Sequence, residues 1–264
     1  MSQRTGRRRY AAAAGLASLA LAGAFAWWLG TRGVFGPGDL EAMLRPSAAA
    51  PVDPPAAIRD ATADRAPKTL VMLGASHSAR GRWLESVAAE LSACQPAGVA
   101  VRRVARPGAG SDWGLARMAE ALGAGTPDGP PDALVVHFAG NDASLWHGMS
   151  LAESARIHAE IIARARAAGV PVYLATMSPA WGRESAERPG HRSYVALYRA
   201  FAAEARGADR VGLIDTYPAW QALETATRQS LVPDDLHPNG EGMHRITVPA
   251  FVAALRPVIC RDGA

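Results

Sequence analysis

Short apolar segments alternate with segments of helical periodicity along most of this chain, and this alternation restricts the fold. Four apolar segments predict strands at residues 69–73, 133–138, 170–175 and 211–214, and a segment rich in β-branched residues predicts another at 99–104. Strands that are apolar at nearly every position are buried on both faces, as in a parallel sheet covered by helices. The sequence therefore predicts an α/β protein, a flavodoxin-like three-layer α/β/α fold with a five-stranded parallel sheet.

The segments between these strands predict the covering helices. Helical spacing of apolar residues favours helices at residues 81–92, 112–122, 193–206 and 242–259. A further helix, ending near Gly169, begins with the capping box Ser150-Leu151-Ala152-Glu153. In such folds ligands bind at the carboxyl ends of the strands, so we expect the functional residues there.

The first thirty residues predict a signal-anchor or transmembrane segment at 1–30. Arg7, Arg8 and Arg9 precede an uncharged run at 11–29, whose length suits a membrane span with the N-terminus inside. A cleaved signal peptide is the alternative, because Ala24-Phe25-Ala26 fits the small-x-small cleavage rule. Either way the remainder is expected outside the cytoplasm, anchored to the membrane in the periplasm or at the cell surface, or secreted after cleavage.

Residues 31–66 predict a linker between this segment and a catalytic domain at 67–264. The linker is rich in proline and alanine and has no periodicity. The net charge of +4 comes largely from the N-terminal arginines. Because the other basic residues are scattered, no nucleic-acid partner is predicted, whereas the membrane is an expected partner of the N-terminal segment.

Two polar motifs, far apart in the chain, contain the residue types of nucleophilic catalysis. Ser76 follows the first predicted strand, and Asp234 precedes His237 by three residues in a loop with Pro238 and Gly240. A carboxylate can hold an imidazole in one tautomer, and an imidazole so held can take the proton of a serine hydroxyl. Either motif alone has ordinary alternatives: a serine after a strand, or a turn or incomplete metal site.

Two further loops at the same edge of the sheet can supply donors to an oxyanion. Gly110 follows the second predicted strand, and Asn141 follows the third. A backbone amide at the glycine and the asparagine side chain are donors of the required kind. The alternatives are a strand-to-helix turn at Gly110 and an Asx turn at Asn141.

These motifs together resemble the four sequence blocks of the SGNH (GDSL-type) hydrolases, over about residues 70–255. The blocks are, in order, Gly74-x-Ser76, Gly110, Gly140-Asn141-Asp142 and Asp234-x-x-His237. The chain departs from the family pattern at Ala75, where the family usually has Asp, and at Ala139, where it usually has Gly.

The resemblance implies a role for each matched residue. Ser76 is the expected nucleophile, His237 the base and Asp234 the residue that orients it. The Ser76 amide, the Gly110 amide and the Asn141 side chain are the expected oxyanion hole. The resemblance implies no metal ion and no organic cofactor.

The expected function is that of an extracytoplasmic serine esterase that hydrolyses carboxylic esters through an acyl-Ser76 intermediate. The predicted location favours O-acetyl esters of envelope or exported polysaccharide as substrates. Lipid or lysophospholipid ester hydrolysis and acyl transfer to a sugar hydroxyl use the same residues and stay open. A catalytically silent glycan-binding module is the non-enzymatic alternative, which Ala75 suggests and the intact Ser76, Asp234 and His237 set opposes.

The two cysteines, Cys94 and Cys260, lack the spacing of a metal site. An exported domain permits a disulfide, and the first and last helices of such a fold run side by side. Two separate buried thiols are the alternative.

Overall fold

The computed structural model describes residues 67–127, 129–176, 178–204 and 211–260. The predicted membrane segment at 1–30 and the linker at 31–66 lie outside the described residues. Within the described ranges, no helix combines the length and apolarity needed to span a bilayer.

Five parallel strands form one sheet, which confirms the predicted fold class. They are β1 (Lys68–Gly74), β2 (Val99–Ala105), β3 (Ala133–His137), β4 (Val172–Ala175) and β5 (Val211–Ile214). Their order across the sheet is β2-β1-β3-β4-β5, which is the flavodoxin-like order. The predicted strands were correct to within two residues because four are short apolar runs and β2 is rich in valine.

Helices and turns occupy the connections between the strands. In chain order these are α1 (Ser76–Ala79), α2 (Trp83–Ser92), α3 (Ser111–Ala116), α4 (Met118–Ala121), α5 (Ala139–Asp142), α6 (Leu151–Ala167), α7 (Gly182–Ala186), α8 (His191–Glu204), α9 (Tyr217–Gln221), α10 (Thr225–Leu231), α11 (Gly240–Gly242) and α12 (Val248–Ile259). A π-helical turn, Met243–Thr247, joins α11 to α12. The predicted cap of α6 is confirmed, because the Ser150 hydroxyl accepts a hydrogen bond from the Glu153 amide at 3.1 Å.

Two predicted helices are interrupted, and each interruption has a local cause. The helix predicted at 112–122 divides into α3 and α4 at Arg117. Gly114 in α3 leaves room for the Phe138 ring, which lies 2.5 Å from where a Cβ would be, and glycine weakens a helix. The helix predicted at 242–259 begins with the π-helical turn. Pro249, near the start of α12, has no amide hydrogen that could bond the Arg245 carbonyl in this turn.

Alternate residues of the central strands pack on opposite faces of the sheet. On β1, Val71 and Leu73 face the core beneath α4, α6 and α8, whereas Leu70 and Met72 face α2 and α12. Because both faces of the sheet are covered, the central strands lack the alternation of polar and apolar residues that a strand with one exposed face would have.

The sheet register brings the loops that follow β1, β2 and β3 to one level. Gly74, the last residue of β1, pairs with Ala105 of β2 and with His137 of β3. The segments that begin just beyond these residues therefore leave the sheet side by side.

A disulfide joins the ends of the two helices on one face. Cys94 follows α2 and Cys260 follows α12, and their Cα atoms are 5.5 Å apart. In the described part of the chain neither cysteine is free.

Candidate active site

Ser76 begins the single turn α1 immediately after β1, and its side chain is largely buried, with 7% of the residue exposed. The turn closes tightly because position 74 is glycine: a Cβ there would overlap the Ser78 hydroxyl. A residue at the start of a helix has no acceptor for its amide within that helix, so the Ser76 amide is a candidate donor to a ligand.

The structure brings Ser76, His237 and Asp234 into one hydrogen-bonded series. The Ser76 Oγ lies 2.9 Å from the His237 Nε2, although the two residues are 161 positions apart. The His237 Nδ1 lies 2.8 Å from the Asp234 Oδ2. All three predicted catalytic side chains therefore meet at the carboxyl edge of the sheet.

The carboxylate of Asp234 determines which imidazole nitrogen has the proton. An ionised carboxylate only accepts hydrogen bonds, so the His237 Nδ1 is the donor to Asp234. In the neutral imidazole the Nε2 then has a free lone pair, and this lone pair faces the Ser76 hydroxyl. The arrangement suits removal of the serine proton.

Asp234 is itself held by backbone amides of its own loop. Its Oδ1 accepts from the His237 amide at 2.6 Å and from the Leu236 amide at 3.1 Å. Partial burial raises the pKa of Asp234, but the hydrogen bonds from His237 and Leu236 outweigh burial, and the pKa is lowered overall. Asp234 is therefore ionised at neutral pH.

His77, beside the nucleophile, fixes the Asp234–His237 loop. Its Nε2 donates to the Leu236 carbonyl at 3.1 Å, and the Ser178 hydroxyl donates to the same oxygen at 3.1 Å. Burial, with the nearby His137 and His237, holds the pKa of His77 well below its ordinary value. A neutral His77 with its hydrogen on Nε2 ties α1 to the loop that contains the base.

The two residues predicted to complete the oxyanion hole are placed differently. Asn141, in α5, lines a small cavity together with Ser76, and its Nδ2 donates to the Ala109 carbonyl at 2.8 Å. Gly110 follows Ala109 but is not among the residues that line this cavity. A Cβ at Gly110 would lie 3.2 Å from the Asp142 Oδ1, so the adjoining turn leaves little room for a side chain.

Asp142, which the sequence interpretation left without a role, links the two oxyanion loops. It is fully buried and accepts from the Ser111 amide at 2.8 Å and from the Ser154 hydroxyl at 2.6 Å. Its only sequence signal is its place after Asn141 in the matched block. These bonds hold the loop of Gly110 against the turn of Asn141.

A buried His158–Tyr198 pair continues this network behind the site. The His158 Nδ1 donates to the Ser154 carbonyl at 2.7 Å, so its Nε2 accepts from the Tyr198 hydroxyl at 2.8 Å. The Tyr198 oxygen accepts from the Phe138 amide at 3.0 Å. Burial lowers the pKa of His158 even though Asp142 raises it, and the pair supports the residue that precedes α5.

Arg188, which sequence reasoning also missed, forms a hydrogen bond with α5. Its side chain is buried, donates from Nε to the Gly140 carbonyl at 3.1 Å and pairs with Glu184. The segment that contains α7 is thereby attached to the turn of Asn141.

Two cavities adjoin Ser76. The smaller, of about 10 Å³, is lined in part by Ala75, His137, Phe138, Asn141 and Leu236. The larger, of about 120 Å³, lies on the His237 side and extends to Arg80, Arg82 and His244. Within the described ranges, no group of three or more His, Cys, Asp or Glu side chains could hold a metal ion.

The model of the GDSL-like lipase/acylhydrolase family matches residues 59–245. The chain belongs to this family. Its members are hydrolases that act on ester bonds, so the predicted family and enzyme class are confirmed. No curated protein sequence matches the chain significantly.

Three solved structures with TM-scores above 0.5 share the fold. The lipase/acylhydrolase from Enterococcus faecalis is 22% identical, with a TM-score of 0.61 and coverage of 75% of this chain and 100% of its own. The acetyl xylan esterase AlAXEase is 17% identical, with a TM-score of 0.55 and coverage of 71% and 99%. TesA is 21% identical, with a TM-score of 0.51 and coverage of 73% and 98%.

Proposed function

We propose that this GDSL-family hydrolase is an extracytoplasmic serine esterase that removes acetyl groups from envelope or exported polysaccharide. The observation that carries the catalytic part is the series Ser76–His237–Asp234, with distances of 2.9 Å and 2.8 Å between the bonded atoms. No other described side chain is needed to supply nucleophile, base and orienting carboxylate.

In the proposed reaction the Ser76 Oγ attacks the ester carbonyl carbon while His237 Nε2 takes the hydroxyl proton. The carbonyl oxygen becomes an oxyanion facing the Ser76 amide and the Asn141 side chain. His237 then returns the proton to the departing alcohol oxygen, which leaves an acyl-Ser76 ester. Water attacks this ester with His237 again as base, and the acid and free serine are released.

The size of the smaller cavity supports an acetyl group as the acyl part. A volume of about 10 Å³ is close to the space of one water molecule and so suits a methyl group. The walls beside Ser76 include Phe138, Leu236 and the imidazole of His137, all buried. A longer acyl chain would have to displace these side chains.

Two features support export of the domain. The sequence of residues 1–30 has the charge and apolar pattern of a signal anchor or signal peptide. The disulfide between Cys94 and Cys260 is of a kind that persists in oxidising compartments outside the cytoplasm. A reporter enzyme active only outside the cytoplasm, fused after residue 66, is expected to be active; an inactive fusion would argue against export.

An ester panel tests the proposed activity and acyl preference. Wild-type protein should hydrolyse 4-nitrophenyl acetate faster than the butyrate and octanoate, and Ser76→Ala should hydrolyse none of them. Leu236→Ala enlarges the smaller cavity and should raise the relative rate on butyrate, about tenfold or more since one methylene changes discrimination by that order. Faster wild-type hydrolysis of octanoate would favour a lipid esterase.

A parallel reaction with a glycan acceptor separates hydrolysis from transfer. The larger cavity next to His237 can admit an alcohol as well as release one, so an acetylated glycan product would indicate a sugar O-acyltransferase. Release of acetate at the same rate with and without the acceptor would support the esterase.

A further inference from the structure

We propose that the larger cavity beside His237 is an anion subsite, which recognises a carboxylate or phosphate on the alcohol part of the ester. This inference rests on the proposed function and names the substrate class: an acetylated acidic sugar. The cavity has a volume of about 120 Å³, and Ser76 and His237 line it together with Arg80, Arg82 and His244. A group bound there would therefore lie next to the reacting atoms.

Most polar side chains of this cavity are already bonded within the protein. Ser76 pairs with His237, and the Trp83 Nε1 donates to the His77 carbonyl at 3.0 Å. The Asn239 Oδ1 accepts from the Gly242 amide, and its Nδ2 donates to a backbone carbonyl of α10. These groups shape the cavity but have little capacity left for a ligand.

Arg80, Arg82 and His244 are the exception. All three are exposed, and within the described ranges none forms an ion pair or a side-chain hydrogen bond. Two guanidinium groups offer paired donors that match the geometry of a carboxylate or a phosphate.

In the described part of the chain no carboxylate lies within ion-pair distance of Arg80 or Arg82. Among the described residues that line the cavity none is acidic. Glu85 lies outside the lining and accepts two hydrogen bonds of 2.6 Å from Arg103, which lower its pKa to about 2, with a smaller electrostatic contribution from Arg82. Asp234 is bonded to His237, and the exposed Glu241 makes no ion pair with any described cation. The lining of the cavity therefore has a net positive charge from its two arginines.

The backbone ties this charge to the nucleophile. The Arg80 amide donates to the Ser76 carbonyl at 3.1 Å, so Arg80 is one helical turn beyond the serine. Gly81 has a φ of 71°, a left-handed conformation that lets the chain reverse between the two arginines. Both arginines consequently line the same cavity rather than opposite sides of the turn.

Three acetylated sugars test the inference: an acetylated methyl glucuronoside, an acetylated glucose 6-phosphate, and the acetylated glucuronamide as the uncharged match. Wild-type kcat/KM should be about tenfold higher for an acidic sugar than for the amide, and raised salt should reduce this ratio. The double variant Arg80→Gln/Arg82→Gln should lose the preference, measured as the ratio of kcat/KM for each acidic sugar to kcat/KM for the amide in the same variant. Preference for the uronoside or the phosphate identifies the anion.

The control is Arg156→Gln/Arg256→Gln, which removes the same charge from two exposed positions outside the cavity. This variant should keep the preference for the acidic sugars. Equal loss in both double variants would show a general effect of net charge, and equal rates of wild type on acidic and uncharged sugars would overturn the subsite.

A binding measurement separates failure of the subsite from failure of the proposed function. In Ser76→Ala protein, methyl glucuronoside should bind more tightly than its amide in an NMR titration, and Arg80→Gln/Arg82→Gln should remove the difference. If wild type hydrolyses no ester but this difference is present, only the esterase proposal fails. If esters are hydrolysed and the difference is absent, only the subsite fails.

Discussion

At the residue scale, the two nitrogens of His237 have different partners, and this difference defines the site. Nδ1 faces the Asp234 carboxylate, which can only accept a hydrogen bond, and Nε2 faces the Ser76 hydroxyl. The side chain of His237 is 25% exposed, so the ring could rotate toward solvent if Asp234 did not hold it. Asp234 thus acts through orientation as well as charge.

Replacing Asp234 by Asn tests this orientation. The amide can donate to Nδ1, which places the imidazole proton on Nε2 and removes the lone pair that faces Ser76. We expect kcat to fall about 10³- to 10⁴-fold, as for other triads with this change, with KM nearly unchanged in steady-state assays.

The matched control is Asp235→Asn, the same change one residue later. Asp235 has a φ of 63°, and asparagine tolerates this left-handed conformation. Activity of the control should stay near that of the wild type. A loss as large as that of Asp234→Asn would attribute the effect to loop charge rather than to the imidazole.

At the scale of secondary structure, predictability depended on how local the signal is. The strands are short runs of mostly apolar or β-branched residues and the α6 cap is a four-residue pattern, so both could be predicted from the sequence. The single turns α1 and α5 are too short for periodicity, and distant contacts such as that of Asp142 with Ser111 hold them. The role of Arg188 could not be predicted because its hydrogen bond joins it to Gly140, 48 positions earlier in the chain.

The sequence motifs predicted the catalytic residues of the site but not the buried residues that hold them in place. Ser76, Asn141, Asp234 and His237 are in blocks whose order matches a known family, and the structure brings these four to one edge. Gly110 lies beside the cavity rather than in its lining. His137 and Tyr198 gave no signal, because a buried polar residue in a strand or helix has meaning only once its partner is known.

The variant Tyr198→Phe tests the network behind α5. It leaves the buried Phe138 amide and the His158 Nε2 without the Tyr198 hydroxyl. Each unsatisfied buried group costs about 1–3 kcal/mol, so we expect the free energy of unfolding in urea to fall by about that amount or more. The control Tyr217→Phe alters a buried tyrosine that contacts the His191 ring instead, and an equal fall in the free energy of unfolding would contradict a specific role for Tyr198.

At the scale of the whole molecule, the Cys94–Cys260 disulfide links parts of the chain 166 positions apart. Cross-linking so long a loop restricts the unfolded chain, and typical stabilisation is about 2–4 kcal/mol. We expect Cys94→Ser/Cys260→Ser to lower the free energy of unfolding by this amount while the native protein keeps its activity. Two reactive thiols per denatured wild-type chain would contradict the bond.

Buried histidines predict a loss of stability in acid. Burial lowers the pKa of His137 and of His191 to about 4, aided for His191 by Arg188, whereas unfolding returns both toward 6.5. Between these pH values the unfolded chain binds more protons, so the free energy of unfolding should fall as pH drops from 6.5 to 4. His191→Gln should flatten this dependence, and an unchanged slope in this variant would contradict the role given to its buried imidazole.

Covalent labelling of the full-length protein with a fluorophosphonate tests the nucleophile most directly, read by mass spectrometry of the digested protein. The geometry predicts one adduct, on Ser76, formed quickly in wild type, slowly in His237→Ala and not at all in Ser76→Ala. An adduct on another serine, or a folded wild-type protein that stays unlabelled, would contradict the assignment of Ser76 as the nucleophile that His237 activates.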